Sequence, residues 1–380
     1  MFSYKILKDV DFNNWNNQLK KSSTSSFFQT YEYLQCESTS KDFPIFIYIF
    51  NEKNEIKAQL GIIVRESISI YSSSILRKCI SNFSSLSKKI SWAGGPILHE
   101  KNNDKREKII QEIIKALEEI AQKYNVAIID GYTPPYDFLV NNYLNTLIEK
   151  KYEVQKFFTF ISKLNIGIDE IWNKIYKNTS RDVLRAKKRE IKVKELETID
   201  ELEQYFNLNS KWAKTKGIES SVDLEYKKSY WKYYQSNKEK IFLAYEDNEL
   251  VTGHRLGCFN EIVYSHLVTN SYLKPTSLGG PLLTWHAIKW AKESGYKKYD
   301  FSGGESPPSD KHENEQYEKQ WGSLLKYKSR WGGNEFPYYH IFKINRKTSY
   351  KLFRILGKID WYYRNYKEKH NKRPTKKKDF

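Results

Sequence analysis

The part of the sequence that decides the fold runs from Gly279-Gly280-Pro281, through Asp300-Phe301-Ser302-Gly303-Gly304, to Lys326-Tyr327-Lys328-Ser329-Arg330-Trp331-Gly332-Gly333. Its first section predicts a glycine turn followed by an amphipathic helix, because five residues can share one apolar face: Leu282, Leu283, Ala287, Trp290 and Ala291. A helix that starts behind glycines presents unpaired N–H groups and a partial positive charge, which suits an anionic donor group. The strand ending at Asp300, its glycine elbow and the cationic segment behind them predict the lip of a cleft.

The composition indicates a folded protein large enough for two domains. The chain has 380 residues, of which 39% are hydrophobic and 16% aromatic. The longest obvious apolar run, residues 43–50, is only strand-sized, and the N-terminus lacks the pattern of a secretory signal. Cys36, Cys79 and Cys258 are odd in number and lack ligand spacing, which indicates a reducing compartment and no metal site. We therefore expect a cytoplasmic protein.

The positive charge is concentrated at the end of the chain. The net charge is +18, and residues 346–380 hold thirteen Lys or Arg against three Asp or Glu. Such a tail favours phosphate-rich partners: RNA, an anionic bilayer surface or a pyrophosphate-bearing lipid. The alternative is an ordinary solvated charge run.

The order of predicted elements indicates an α/β fold with three regions. We expect a first domain over residues 1–163, a second over residues 164–344, and a basic helix with a disordered tail over residues 345–380. Gly94-Gly95-Pro96, a helix and Ile129-Asp130 occur in the same order as Gly279-Gly280-Pro281, a helix and Tyr299-Asp300, which is a weak sign of duplication. The predicted helices cover residues 106–124, with a wide apolar stripe rich in isoleucine, 169–176, 178–188, which leads into a short strand, 202–214 and 224–237. The predicted strands cover residues 45–50 and 58–65, joined by a polar turn, 126–130, 240–246 and 250–259, joined by a hairpin turn at Asp247-Asn248, and 261–269. The serine-rich residues 67–87 are predicted to form loop and short helix.

Four motifs in this order resemble those of the Fem-type peptidyltransferases, which lie within the clan of acetyltransferase-like (GNAT) proteins. They are Phe27-Phe28-Gln29-Thr30-Tyr31-Glu32-Tyr33, the basic helix from Asn178 to Lys188, the elbow Asp300 to Gly304, and Lys326 to Gly333. The resemblance covers most of residues 25–340. Tyr327 stands where the family usually has Phe, and Pro307-Pro308 with a charged loop follows the elbow.

The resemblance implies two GNAT-like domains, each a mixed central sheet flanked by helices. It also implies transfer of an acyl or aminoacyl group to an amine without a covalent enzyme intermediate and without a bound cofactor. In one branch the donor is aminoacyl-tRNA and the acceptor is a lipid-linked or nucleotide-linked peptidoglycan precursor. In a sister branch the donor is acyl-CoA. A CoA-type turn would carry a second glycine or alanine where Pro281 stands, and this difference favours the aminoacyl-tRNA branch.

Two residues are the candidate catalytic groups, because amide formation needs a stabilised oxyanion and a neutral amine. Lys328 could stabilise the oxyanion or a donor phosphate, as the family's matching lysine does, or it could be a solvated strand lysine. Asp300 could accept a proton from the attacking ammonium or orient it. It could equally cap the elbow by accepting a hydrogen bond from the N–H of Ser302 or Gly303.

The remaining candidates are binding residues. Arg181, Arg185 and Lys188 follow one helix face and could bind phosphate, although a surface helix of ordinary charge would look the same. We expect Gly279 and Gly280 at the donor, and Tyr327, Arg330, Gly303 and Gly304 at the substrate. His254 and His266 lie in predicted strands and are better explained as hydrogen-bonded packing residues.

Together these features predict a monomeric aminoacyl or acyl transferase that acts on a cell-envelope precursor, in the cytoplasm or at the inner membrane face. Two alternatives stay open: an acyl-CoA-dependent N-acyltransferase that modifies a polysaccharide or small amine, and a non-catalytic RNA- or membrane-binding protein. In the tail, Leu352, Leu356, Ile359, Tyr363 and Tyr366 form a stripe that suits either an anionic membrane surface or docking on the second domain.

Overall fold

The computed structural model describes residues 1–38, 42–66, 88–215, 224–271, 278–303 and 324–352, together with Arg354, Ile355 and Lys358. The predictions made for residues 67–87, for Gly304, for the loop at residues 307–316 and for most of the C-terminal stripe therefore lie outside the described residues. Leu352 is described, and it lies exposed in a helix that begins at residue 347.

The first half of the chain is built from strands that pack against two helices on one side. The turn predicted between the second and third strands is present, and helix α3 (Asn103–Lys123) carries the wide isoleucine stripe expected from the sequence. Asn102 caps α3 by accepting the N–H of Lys105. The elements are β1 (Phe2–Leu7), α1 (Phe12–Lys20), a 3₁₀ turn (Phe27–Gln29), α2 (Tyr31–Cys36), β2 (Phe43–Asn51), β3 (Ile56–Glu66), β4 (Lys88–Trp92), β5 (Ile97–Leu98), α3 (Asn103–Lys123), β6 (Ile128–Tyr132), α4 (Asn141–Glu149) and β7 (Glu153–Lys163).

The second half repeats the alternation of strands and helices. The basic segment forms a helix that leads into a strand, as the sequence predicts, and a hairpin turns at Asp247-Asn248, both of which have positive φ. The elements are α5 (Ile168–Lys174), α6 (Lys177–Lys188), β8 (Lys192–Glu195), α7 (Ile199–Thr215), α8 (Leu224–Tyr234), β9 (Glu239–Glu246), β10 (Glu249–Phe259), β11 (Ile262–Asn270), α9 (Gly279–Glu293), β12 (Lys298–Asp300) and β13 (Asn334–Ile344).

The described strands form one continuous mixed sheet in the order β1-β2-β3-β4-β6-β13-β7-β12-β11-β10-β9-β8, with β5 beside β3. This order is symmetric about its centre. In each half an antiparallel run of four strands is followed by one parallel pair, β4 with β6 and β11 with β12. The last strand of each half then crosses over, so that β13 pairs with β6 while β7 pairs with β12.

This crossing of β7 and β13 joins the two halves through their longest strand pairing. The expected mixed α/β sheet flanked by helices is confirmed. The division at residues 163 and 164 stays a prediction, because β13 lies in the predicted second domain yet pairs with β6 of the first.

Three apolar cores fill the spaces between the sheet and its helices. One lies under α3 and α4, with Ile113, Leu117 and Ile129 at its centre. A second joins Trp15 and Phe27 of the first half to Tyr205 and Tyr230 of the second. The third lies under α6 and α9 and reaches Trp331. Burial of this apolar area supplies the main drive for folding, and the second and third cores hold the elbow in place.

Candidate active site

Strand β12 places the elbow in the middle of the sheet. It is parallel to β11 and antiparallel to β7, so that Asp300 lies opposite Tyr264 on one side and Ile161 on the other. The chain leaves the sheet directly after Asp300. A parallel neighbour and an antiparallel one flank this departure, and the end of such a strand is a common position for a ligand crevice.

The carboxylate of Asp300 is buried and accepts three kinds of hydrogen bond. Thr159 Oγ1 donates to Oδ1 at 2.6 Å, the Ser302 N–H donates to Oδ1 at 2.8 Å, and the Tyr136 hydroxyl donates to Oδ2 at 3.0 Å. Burial raises the pKa of Asp300 above its usual range, and these donors together with the charge of Lys328 oppose the increase. The bond to Ser302 is the elbow cap that the sequence left open as one of two roles.

The backbone of the elbow cannot continue the strand. Ser302 has φ of 56°, in the left-handed region, and Asp300 holds its N–H. Gly303 lies against the Tyr338 hydroxyl so closely that an added Cβ would fall 1.7 Å from that oxygen. Any larger residue at position 303 would therefore require the Tyr338 side chain to move, while the φ of Gly303 places no demand for glycine.

Lys328 reaches this elbow from the segment behind it. Its Nζ donates to the carbonyl oxygens of Ser302 at 2.8 Å and Gly303 at 2.9 Å. Lys328 is half-buried and lies in a short helical segment, residues 324–329, so the alternative of a solvated strand lysine does not describe it. Burial lowers the pKa of Lys328 to about 8, and the carboxylate of Asp300 opposes this decrease.

The aromatic residues around Lys328 fix its segment to the third core. Trp331 is buried and stacks against Phe301 with the ring centroids 6.2 Å apart. Burial raises the pKa of Tyr327 to about 12, and its hydroxyl lies beside Thr284 in the first turns of α9. The Arg330 carbonyl accepts the N–H of Tyr176 at 2.9 Å, just before α6 begins. The segment therefore touches both helices that the sequence assigned to binding.

Gly279 and Gly280 form the first turn of α9, which has no side-chain cap. An added Cβ on Gly279 would fall 2.4 Å from Thr252 Oγ1, and one on Gly280 would fall 3.2 Å from Asn270 Oδ1. The Gly280 carbonyl accepts the hydroxyl of Thr284. Through Thr284 and Tyr327, the start of α9 is connected to the lysine segment.

Arg181, Arg185 and Lys188 lie on the exposed side of α6. Arg185 forms an ion pair with Asp182 at 3.2 Å, and Val183 and Ala186 anchor the opposite face of the helix. Among the predicted site residues, Asp300, Gly303, Lys328, Tyr327 and Arg330 are thus brought together. The three basic residues lie further out along α6.

Three residues of the site were missed by sequence reasoning: Tyr136, Thr159 and Tyr338. Tyr136 and Thr159 come from the first half of the chain and are separated from Asp300 by 164 and 141 residues. Tyr136 follows the breaker Pro134-Pro135, the one local signal that pointed to a loop there.

A cavity of about 760 Å³ lies in the first half of the chain, and Tyr136 forms part of its wall. Its lining has mixed charge and includes Lys21, Lys101, Glu55 and Glu100. The buried ion pair of Arg106 and Asp137 also lines it, as does Phe138, which is 73% exposed. Tyr136 is shared between the two places, since it lines the cavity and its hydroxyl bonds Asp300, while the described elbow residues do not line the cavity.

The two strand histidines, His254 and His266, make packing contacts in the core. His254 is fully buried, its Nε2 lies 2.9 Å from Ser265 Oγ, and burial lowers its pKa to about 3. His266 packs edge-on against Phe28. Within the described residues no group of three or more His, Cys, Asp or Glu could hold a metal ion. No helix in the described ranges is both long and apolar enough to span a bilayer.

Comparison with known proteins shows similarity at the level of the fold. No family model matches the sequence, and no curated protein matches it. Among solved structures, FemX matches with a TM-score of 0.64 at 13% identity, over 92% of this chain and 99% of that one. The tandem GNAT protein from the clavulanic acid biosynthesis pathway matches with a TM-score of 0.54 at 8% identity, over 90% and 98% of the two chains.

The C-terminal domain of a putative lysylphosphatidylglycerol synthetase from Agrobacterium fabrum also matches, with a TM-score of 0.51 at 10% identity, over 90% of this chain and 93% of that one. The matches extend over nearly the whole length of all three structures. The chain therefore has the fold of Fem-type and tandem GNAT proteins, as the four motifs indicated.

Proposed function

We propose that this protein is an enzyme that transfers an acyl or aminoacyl group from an activated ester to an amine, by direct attack at the elbow. The observation that carries the proposal is the placement of the Lys328 ammonium on the Ser302 and Gly303 carbonyls. The similarity to FemX and to a tandem GNAT protein supports it at the level of the fold.

Lys328 is suited to stabilise an oxyanion. An ammonium has three N–H donors, of which two are directed at the elbow carbonyls. Within the described residues the third N–H meets no acceptor. A donor that is held in advance and aimed at a developing negative charge is worth about 10²- to 10³-fold in rate. In this proposal the elbow fixes the ammonium and the ester carbonyl receives its third hydrogen bond.

Asp300 holds the elbow rather than meeting the substrate. Its oxygens are occupied by Thr159, Tyr136 and Ser302, and its side chain is buried. Its negative charge also favours the protonated form of Lys328 and so opposes the decrease in the pKa of that lysine. We assign it a positioning role and leave proton transfer to another residue.

The donor in this proposal is aminoacyl-tRNA. Pro281 lacks an N–H in the first turn of α9, which removes one donor from any pyrophosphate cradle there. The exposed row Arg181, Arg185 and Lys188 instead offers charge along a helix that begins at the lysine segment. Cationic side chains in such a row suit a polyphosphate backbone.

The acceptor in this proposal is an amine of a lipid-linked or nucleotide-linked cell-envelope precursor. The cavity beside Tyr136 has lysines, carboxylates and an exposed aromatic ring, which suits a ligand with both peptide and sugar groups. The proposed place of action is the cytoplasm or the inner membrane face, with the protein acting as a monomer.

Transfer assays with labelled donors test this function. Purified protein is incubated with labelled aminoacyl-tRNA or labelled acyl-CoA, each with a nucleotide-linked peptidoglycan precursor that carries a free amine. We expect label in an amide product from aminoacyl-tRNA, and a rate lowered by about 10²-fold or more in Lys328→Met. Lys326→Met is the matched control, because Lys326 is exposed on the same short helix.

Each alternative predicts a different result. If label is transferred only from acyl-CoA, the donor is acyl-CoA and the proposal of aminoacyl-tRNA is refuted. Absence of transfer from either donor, or equal rates in Lys328→Met and Lys326→Met, would refute the catalytic proposal. A purely binding protein would lose its cellular function on removal of residues 346–380 and keep it in Lys328→Met.

A further inference from the structure

A second group of polar and aromatic residues lies on the same face of the sheet as Asp300. Residues that pair directly across neighbouring strands project from the same face. His340 pairs with Tyr132, and Tyr338 pairs with Phe157. Asp130 lies two residues before Tyr132 on β6, so its side chain projects from this face as well. We call these five residues the central face.

The central face is continuous with the elbow. The Tyr338 hydroxyl lies against Gly303, as the 1.7 Å approach to an added Cβ shows. The Tyr338 ring is 6.1 Å from that of Tyr132, and Tyr132 stacks on the imidazole of His340 at 4.7 Å. An unbroken row of rings therefore leads from the elbow to His340.

His340 and Asp130 form a close pair at the end of this row. His340 Nε2 lies 2.7 Å from Asp130 Oδ1, and Lys89 Nζ lies 3.5 Å from Oδ2. Burial alone would raise the pKa of Asp130, but the hydrogen bond to His340 and the charge of Lys89 outweigh it, and the pKa is lowered. The side chains of His340 and Asp130 are 21% and 24% exposed, so solvent and substrate can reach them.

The symmetry of the sheet places Asp130 at the position equivalent to that of Asp300. Asp130 lies on β6, which is parallel to β4, just as Asp300 lies on β12, which is parallel to β11. Asp300 is buried, and the donors that it has among the described residues are uncharged: the Thr159 and Tyr136 hydroxyls and one N–H. Asp130 is instead paired with an imidazole. The two equivalent carboxylates therefore occupy different chemical environments.

We propose that His340, oriented by Asp130, accepts the proton that the attacking amine must lose. This inference rests on the proposed transfer reaction. An Nε2–H donated to Asp130 leaves Nδ1 as the basic nitrogen. The imidazole takes one proton from the acceptor ammonium, and the neutral amine then attacks the ester carbonyl carbon. As the C–N bond forms and the ester C–O bond breaks, a second N–H proton passes to the leaving oxygen, and the imidazolium releases its proton to solvent.

In this proposal one water connects the attacking amine to the imidazole. His340 lies two residues beyond Tyr338 along β13, which corresponds to about 7 Å. The charged groups that face His340 are Asp130 and Lys89, with Arg65 beyond Ser91 and Glu153 at the exposed end of β7.

Hydroxylamine provides the test, because it is already neutral at pH 7 and needs no base. Wild-type protein, His340→Gln and Asp130→Asn are each given labelled aminoacyl-tRNA with either the amine-bearing peptidoglycan precursor or hydroxylamine. We expect both variants to lose transfer to the precursor, by about 10²-fold or more in His340→Gln, and to keep protein-dependent hydroxylamine transfer, measured above the uncatalysed reaction with the ester, within a few-fold. Lys343→Gln is the matched control, because Lys343 lies on β13 but bonds Glu118 on α3.

The outcomes separate this inference from the function on which it rests. If the wild-type protein transfers to neither nucleophile, the proposed function fails. If it transfers to both and His340→Gln behaves like Lys343→Gln, the assignment of His340 is overturned. Equal loss of both reactions in His340→Gln would also overturn it, because that result indicates a structural role or a role in donor binding.

Discussion

Asp300 offers the sharpest test of how the elbow is held. Replacing it by alanine leaves the Thr159 hydroxyl, the Tyr136 hydroxyl and the Ser302 N–H without their acceptor. Replacing it by asparagine keeps one oxygen for Thr159 and Ser302, while the Tyr136 hydroxyl can accept from the new amide. The two variants differ in hydrogen bonds and hardly differ in charge.

The expected magnitudes follow from this difference. A buried donor left without a partner costs about 1–3 kcal/mol, so Asp300→Ala should lower the free energy of unfolding by about 3 kcal/mol or more. Asp300→Asn should lower the free energy of unfolding by only about 1 kcal/mol. The neutral amide replaces a carboxylate whose charged form is already disfavoured by burial, as the raised pKa of Asp300 indicates. The asparagine also removes the anion that supports the ammonium of Lys328, so the pKa of Lys328 should fall below about 8.

Urea denaturation followed by tryptophan fluorescence measures both free energies. The sign of the pH dependence provides a second check. With the pKa of Asp300 raised in the fold, the native state binds this proton at higher pH than the unfolded chain. The wild type should therefore gain stability, relative to Asp300→Asn, as the pH falls towards about 3.9. Equal stabilities for the two variants, or a loss of relative wild-type stability on acidification, would refute this account of the elbow.

Two further predictions concern the lysine segment. Transfer by the wild type should fall as the pH rises above about 8, because the pKa of Lys328 is lowered to about 8 and only the protonated form stabilises an oxyanion; a flat kcat profile between pH 7 and 9 would contradict it. Gly332→Ala should lower the melting temperature clearly, since Gly332 has φ of 76° and an added Cβ would fall 2.6 Å from the Lys174 carbonyl oxygen. Gly167→Ala is its control, because nothing lies within 4 Å there, and equal melting temperatures in the two variants would remove the packing argument.

Much of the secondary structure was predictable because its signals are local, although strands β7 and β13 were not predicted. The isoleucine stripe of α3 and the Asp247-Asn248 turn each lie within one stretch of sequence, and both are present as predicted. The elbow cap was also accessible, because Asp300 and Ser302 are two residues apart. The helical placement of Lys328 was not anticipated, since a single lysine between aromatic residues carries no period that separates a helix from a strand.

The sequence by itself determined many of the helices and strands, where the elbow lies and which cations follow it, because periodicity, turn residues and charge are properties of neighbouring residues. It did not predict the central strands β7 and β13. Only the tertiary structure decided that β7 and β13 cross between the halves, that Tyr136 and Thr159 hold Asp300, and that His340 meets Asp130. The physical reason is distance along the chain. His340 and Asp130 are 210 residues apart, and no local pattern records a hydrogen bond that forms only when two distant strands take their register in one sheet.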